Sequence, residues 1–138
     1  MTEITGGCFC GAIRYEIEGA PFRIANCHCD DCRKATGAAY STNVFFKEEQ
    51  ITVLRGSTKK FDHVADSGNG MTKEFCGNCG SQIFGTGAMR PGVIHVKVGT
   101  IDDASFVAPD VNLYTSHALG CTLIDENVDN FETMPPPA

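Results

Sequence analysis

Cys76-Gly77-Asn78-Cys79-Gly80 is a pair of thiols three residues apart, closed by a glycine. Met71 to Phe75 leads in and Gln82 to Gly85 leads out, so the motif reads as the tip of a β-hairpin. Two cysteines at this spacing on a tight turn can grip one zinc ion, and the glycine lets the backbone turn under the metal. A thioredoxin-like redox pair is the competing reading. That motif needs a βαβ setting with the second cysteine entering a helix, which Gly80-Ser81-Gln82-Ile83-Phe84 does not resemble.

One such pair is half of a four-ligand site, and Cys8-Phe9-Cys10-Gly11 is the other half. On an extended strand, residues i and i+2 share a face with Cβ atoms roughly 6.5 Å apart. Sulfurs around a tetrahedral zinc, with bonds of about 2.3 Å, stand nearly ~4 Å apart. A local bend closes that gap, and Gly6, Gly7 and Gly11 permit one. Cys8, Cys10, Cys76 and Cys79 are thus expected to form a structural four-thiolate zinc site, tying the start of the chain to its middle.

The second cluster is Cys27-His28-Cys29-Asp30-Asp31-Cys32, three thiols in six positions. A closed structural site needs a fourth ligand, which His28, His63, Cys121 or a carboxylate could provide. An open site keeps its fourth position exchangeable, as catalytic zinc does. The open site is the expectation. Zinc on three thiolates carries net negative charge and is a weak Lewis acid. It suits a soft sulfur ligand better than the generation of hydroxide, so the expected substrate is a small thiol.

The chain has 138 residues, 42% of them hydrophobic, enough for one domain with a moderate core. Its net charge of −6, with no basic stripe, argues against nucleic acid. The N-terminus, Met1-Thr2-Glu3-Ile4-Thr5, has no basic region followed by an apolar run, and no segment reaches membrane-spanning length. A cytoplasmic location is expected. There, eight cysteines read as metal ligands or reactive thiols before disulfides, and the lone Cys121 reads as a small buried hydrophobe.

Alternation of Ile13, Tyr15 and Ile17 against Arg14, Glu16 and Glu18 predicts a half-buried strand. Further strands are expected over 22–27, 39–46, 51–54, 58–63, 71–75, 82–85, 93–98 and 111–115. In the 93–98 strand, Ile94, Val96 and Val98 face one side and His95 and Lys97 the other. Residues 30–37 predict a short helix, acidic at its start, basic later and stopped by Gly37. Lys47-Glu48-Glu49 reads as a turn or one helical turn, 67–70 as a loop, and Asp102 to Ala104 as the opening of a helical turn. Residues 1–124 are expected to form one mostly β domain of small antiparallel sheets built around the structural zinc. Residues 125–138 are expected to be an acidic, proline-ended tail, extended and frayed.

Gly6-Gly7-Cys8-x-Cys10-Gly11-x-Ile13-Arg14-Tyr15, Cys27-His28-Cys29-x-x-Cys32-Arg33-x-x-x-Gly37, Phe75-Cys76-x-x-Cys79-Gly80 and Val98-Gly99-Thr100-Ile101-Asp102-Asp103 together resemble the glutathione-dependent formaldehyde-activating enzyme family, also called the centromere protein V-like family. The resemblance runs from about residue 5 to about residue 115. It implies an Mss4-like fold, a structural zinc on Cys8, Cys10, Cys76 and Cys79, and a second zinc on Cys27, Cys29 and Cys32; two zinc ions per chain are expected, the second able to be labile. It also implies the joining of glutathione and formaldehyde into S-hydroxymethylglutathione, a carbon–sulfur lyase reaction run in reverse. Members often carry a His and a large aromatic in the late strand and a Trp beyond it. Here that strand reads Val111-Asn112-Leu113-Tyr114 and the chain has no Trp, so a different substrate pocket is expected.

For such a reaction, His28 and His63 are acid–base candidates because imidazole titrates near neutrality. A substrate with two carboxylates calls for a basic rim. Arg33 and Lys34, which abut the cluster, are the first candidates, with Lys59, Lys60 and Arg90 behind them. Two other functions fit the residues: a non-catalytic zinc module that binds a protein partner, and a thiol redox or metal sensor using Cys121. The oligomeric state has no signature in the sequence.

Overall fold

The computed structural model of the chain describes residues 3–135. Its strands are β1 (Ile4–Gly7), β2 (Arg14–Ile17), β3 (Arg23–Cys27), β4 (Ser41–Lys47), β5 (Ile51–Arg55), β6 (Lys59–Val64), β7 (Gly70–Phe75), β8 (Gln82–Gly87), β9 (Val93–Lys97), β10 (Val111–Leu113) and β11 (Asp129–Asn130). One α-helix, α1 (Asp30–Thr36), connects β3 to β4. A three-stranded antiparallel sheet runs β1-β2-β5, and a larger sheet runs β11-β10-β3-β4-β9-β8-β7-β6. The mostly β expectation holds. The larger sheet is mixed, however, because β10 pairs parallel with both β3 and β11.

Alternation along the strands divides the large sheet into two faces. Ile24, Val44, Phe46, Phe84, Ile94 and Val96 pack against Ile4, Ile13, Tyr15 and Ile17 of the small sheet, forming the main core. The opposite face holds a second cluster, in which Ala25, Cys27, Cys32, Val111 and Leu113 are buried together. Helix α1 lies on this side. The left-handed conformation at Gly37 (φ 71°) ends it, with the Gly37 N–H donating to the Arg33 carbonyl at 2.8 Å.

Three expectations need correction. Asp102 to Ala104 is not helical. The single 3₁₀ turn there lies earlier, at Val98–Thr100, while the Asp102 carboxylate accepts from Thr5 and Arg14 and its N–H donates to the Thr5 carbonyl. Cys121 is exposed rather than buried, in a loop after the 3₁₀ turn Thr115–His117 that no strand carries into a core. The frayed tail is not observed over 125–135. Strand β11 adds to the sheet, and the Phe131 N–H donates to the Asn112 carbonyl at 2.9 Å. The apolar Phe131 against the second cluster outweighs the acidic composition around it. Pro136 and Pro137 lie outside the described residues. Among those residues, no helix is long and apolar enough to cross a membrane.

Candidate functional site

The four cysteines of the quartet come from two similar loops. Cys8 and Cys10 sit between β1 and β2, and Cys76 and Cys79 between β7 and β8. In each loop the glycine after the second cysteine takes a left-handed conformation, Gly11 at φ 81° and Gly80 at φ 80°. Each glycine N–H reaches back to the first cysteine's carbonyl, at 3.2 Å and 2.8 Å. The loops bring Cys8 Sγ to 3.7 Å from Cys10 Sγ, and Cys10 Sγ to 3.8 Å from Cys76 Sγ. Those spacings match the edges of a tetrahedron around zinc. Backbone N–H groups of Ile13, Asn78 and Cys79 point at Cys8 Sγ and Cys76 Sγ, and the Asn78 amide donates to Cys10 Sγ at 3.3 Å. Such donors stabilise thiolates. Hydrogen bonds from Ser81 draw the Cys79 thiol down to about 5.

The trio forms where β3 runs into α1. Cys27 ends the strand, Cys29 caps the helix by accepting the Cys32 N–H at 3.3 Å, and Cys32 lies in the first turn. Cys27 Sγ and Cys29 Sγ are 3.4 Å apart, and all three sulfurs lie within 4.8 Å of one another. Among the described residues, no His, Asp, Glu or further Cys joins them at that distance. Hydrogen bonds from the Cys27 and Cys29 thiols pull Cys32 down to about 3, helped by the charges of Lys97 and Lys73, while Cys27 is pushed up. The three thiols thus titrate as a unit. Both groups have the donor chemistry and spacing to hold zinc, one as a closed set of four and one as a set of three. All eight cysteines are free.

The other sequence candidates divide by position. His28 is buried, its Nε2 3.4 Å from Asn112 Oδ1 and its ring 5.0 Å from that of Tyr40. Burial lowers its pKa, and it does not join the three sulfurs as a fourth mutually close ligand atom. His63 on β6 is half-buried, with Nδ1 3.9 Å from an Asp31 carboxylate oxygen and Nε2 enclosed without a partner. Arg33 is bonded to Asp30, and Lys34 is exposed on the helix. Lys59, Lys60 and Arg90 are exposed, with the Lys59 stem lying over Gly77 of the quartet loop. A cleft of about 190 Å³ lies between Ala35 of α1 and the β6-β7-β8 side of the sheet, lined by Ala35, Phe61, Lys73, Phe75, Gly80 and Gln82. Both amide atoms of Gln82 are buried without a partner. An open groove of about 660 Å³ runs past His63, Met71 and Arg90.

The family model described as glutathione-dependent formaldehyde-activating enzyme matches residues 3–117. The chain belongs to that family. It is 28% identical over 105 residues to a Halomonas elongata protein that carries the family's name, the match covering 72% of this chain and 66% of the relative, just under two thirds of that protein's length. The crystal structure of a Rhodobacter sphaeroides protein superposes with a TM-score of 0.58 at 22% identity, over 76% of this chain and 91% of that one. That likeness concerns the fold.

This formaldehyde-activating family member also buries or engages residues, in the sheet and beside the trio, that spacing did not single out. Lys97 and His95 of β9 are both buried. Alternation put them on one face of a strand, but only the pairing of β4, β9 and β8 makes that face an interior. Tyr114 takes a left-handed backbone (φ 57°), uncommon for a bulky residue, and its ring meets that of His117 edge-on at 5.7 Å. His117 Nδ1 lies 3.3 Å from Asp30 Oδ1, next to the trio. Nothing in the local sequence around His117 signals that contact, which spans 87 positions.

Proposed function

We propose that the protein reversibly joins a small thiol of glutathione type to a small aldehyde, forming or breaking a carbon–sulfur bond as a lyase does. The observation that carries this reading is the trio: three sulfurs grouped for one metal ion, with no fourth protein ligand among the described residues. Zinc held there would keep a thiol ionised near neutral pH. The protein's own residues would bind the thiol, shelter it and supply the proton.

In the forward direction the substrate's sulfur attacks the aldehyde carbon. The C=O π pair moves to oxygen, which takes a proton to give the hydroxymethyl thioether. In reverse the hydroxyl loses its proton and the C–S pair leaves with sulfur. His117, held through Nδ1 by Asp30 beside Cys29, is the best-placed imidazole for that proton, with His63 the alternative. His28 is turned toward Asn112. Lys73 and Gln82 in the cleft beside α1 offer an ammonium and an unpartnered amide to the carboxylate and peptide groups of a glutathione-like chain, while Arg33 is already engaged by Asp30. The eight free thiols and the thiol substrate suit a reducing compartment, which supports the cytoplasm.

The test is carbon-13 exchange NMR of labelled formaldehyde with glutathione, with and without zinc-loaded protein. Faster exchange between free aldehyde and adduct than in buffer, lost in Cys29→Ser, is the expected result. Exchange no faster than buffer for glutathione and for simpler thiols would refute the reading.

A further inference from the structure

Lys97 ends β9 with its side chain inside the protein, and the residue is 6% exposed. Its ammonium donates to Ser41 Oγ at 2.8 Å and to Asn43 Oδ1 at 2.9 Å, both neutral. Among the described residues, no carboxylate lies within 4 Å of it. A buried charge with only neutral partners is costly unless an opposite charge stands close by. The strand register shows where that charge is. Asn43 pairs with Lys97, Ser41 follows two residues along on the same face, and Ser41 pairs with Cys27. The side chain therefore reaches one strand over, toward the residue opposite the first thiol of the trio. The groups whose charges act on Lys97 are Cys27, Cys29 and Cys32 and the half-buried Lys73 in the cleft, while His95 on the same strand is kept neutral by burial.

We infer that Lys97 is a positioning residue whose fixed positive charge offsets the negative charge of the thiolate trio, and so sets both how tightly the trio holds a metal ion and how strongly the site favours an anionic sulfur over a neutral one. Zinc on three thiolates is net negative, and a thiolate arriving as fourth ligand adds another negative charge. Without a nearby cation, that ligand is repelled. Ser41 and Asn43 hold the ammonium in place and are bonded to each other at 2.6 Å, so they remain satisfied if it is removed. Burial draws the Lys97 pKa down to about 8 against the upward pull of the trio, in keeping with a cation that depends on its sulfur neighbours.

The second half of this inference rests on the proposed thiol chemistry, but the first does not, and the experiment separates them. Lys97→Met and Lys97→Arg would be compared with wild type, folding being checked by circular dichroism and by retention of one zinc on the quartet. The first readout is competition for zinc with a chromophoric chelator. Lys97→Met should release the trio's zinc about tenfold or more readily, the scale of one lost unit charge in a partly buried site, while the quartet is unchanged and Lys97→Arg behaves as wild type. The second readout is calorimetric binding of glutathione against S-methylglutathione. Lys97→Met should lose its preference for the free thiol, about tenfold on the same charge argument, and keep its affinity for the methylated form. A folded Lys97→Met protein with unaltered zinc release would overturn the inference. Wild-type protein that binds neither peptide, with zinc release still sensitive to Lys97, would overturn the thiol chemistry and leave the charge role standing.

Discussion

Tyr15 and Thr100 meet hydroxyl to hydroxyl at 2.8 Å, and Thr100 gives its one hydrogen to the Lys97 carbonyl at 2.8 Å. Tyr15 must therefore be the donor of the pair. The link ties the small sheet to the end of β9, the strand that carries Lys97. Burial pushes the Tyr15 phenol up to about 12. Its folded-state pKa is raised, so its contribution is complete below the unfolded value near ~10 and is lost as pH rises through about 12. Tyr15→Phe should cost about 1 kcal/mol at neutral pH and should flatten the loss of stability above about pH 10. Urea unfolding at pH 7 and across the alkaline range checks both.

Asp102 forms an ion pair with Arg14 and accepts from Thr5, an anchor between β1, β2 and the loop after β9. The Arg14 guanidinium holds its carboxyl below the usual carboxylate range. A depressed folded-state pKa gives stability that is present above the unfolded value and lost as pH falls through the folded one. Asp102→Asn should thus be less stable than wild type at neutral pH, and the two should converge under acid. The side chain is about half exposed, so the gap should be small and should shrink further in high salt. Thermal unfolding at pH 7 and pH 3, with and without added salt, measures it.

His95 is enclosed on β9, its ring 5.4 Å from that of Phe45 and pressed on Gly85 so closely that a Cβ there would collide with it. Burial holds its pKa well below the ordinary 6.5, so it stays neutral where the unfolded chain takes up a proton. Its contribution is therefore full above about pH 6.5 and falls as the solution is acidified below that. His95→Gln should make stability less steep between pH 7 and pH 5. Gly85→Ala, which overpacks the same spot, should cost about 1–3 kcal/mol. Chemical denaturation at a series of pH values distinguishes the two effects.

The two sulfur clusters are legible because thiol spacing is local. Cys76-x-x-Cys79-Gly80 and Cys8-x-Cys10-Gly11 each encode their own turn, and only the meeting of the two loops needed the fold. Helix α1 was legible through Asp30, Asp31 and Gly37 for the same reason. What stayed hidden depends on contacts distant in sequence. Lys97 meets Ser41 across 56 positions and His117 meets Asp30 across 87. A lysine alternating with isoleucine and valine looks like the wet face of a strand, and only sheet order makes that face dry. The seating of the tail is hidden for the same reason: its composition is acidic, and Phe131 finds its apolar partners only in the folded sheet.

The quartet and the trio should separate under chelation. Cys76→Ser removes one of the four sulfurs proposed to hold a structural zinc between the two loops, so on that proposal the chain should lose one zinc and its melting temperature should fall by about 10 °C or more. Cys29→Ser removes one of the three sulfurs proposed to hold a second zinc, on one face of an otherwise intact sheet. It should lose the second zinc and keep a melting temperature near wild type. Elemental analysis of each purified variant, paired with a thermal melt, reads both quantities. Equal destabilisation by the two substitutions would mean that the trio, too, is a structural clamp.

The tail bears on the trio through β10. The Asn112 side chain sits between two partners: its amide donates to Asn130 Oδ1 at 2.9 Å, and its Oδ1 lies 3.4 Å from Nε2 of His28, in the middle of the trio's sequence. Phe131 packs on the cluster that contains Cys27 and Cys32, and its N–H completes the ladder to Asn112. Loss of that ring should loosen β10, and through Asn112 the loop bearing His28, while the quartet on the far side of the sheet is unaffected. Phe131→Ala should cost about 1–3 kcal/mol, less than a fully buried phenylalanine because the residue is only partly enclosed. Truncation after Ile124 should have the same regional signature and a larger size. Amide hydrogen exchange supplies the measurement: protection should fall over 27–33 and 111–114 and hold over 76–83. Uniform loss across both regions would instead assign Phe131 to global stability, with no particular link to the trio.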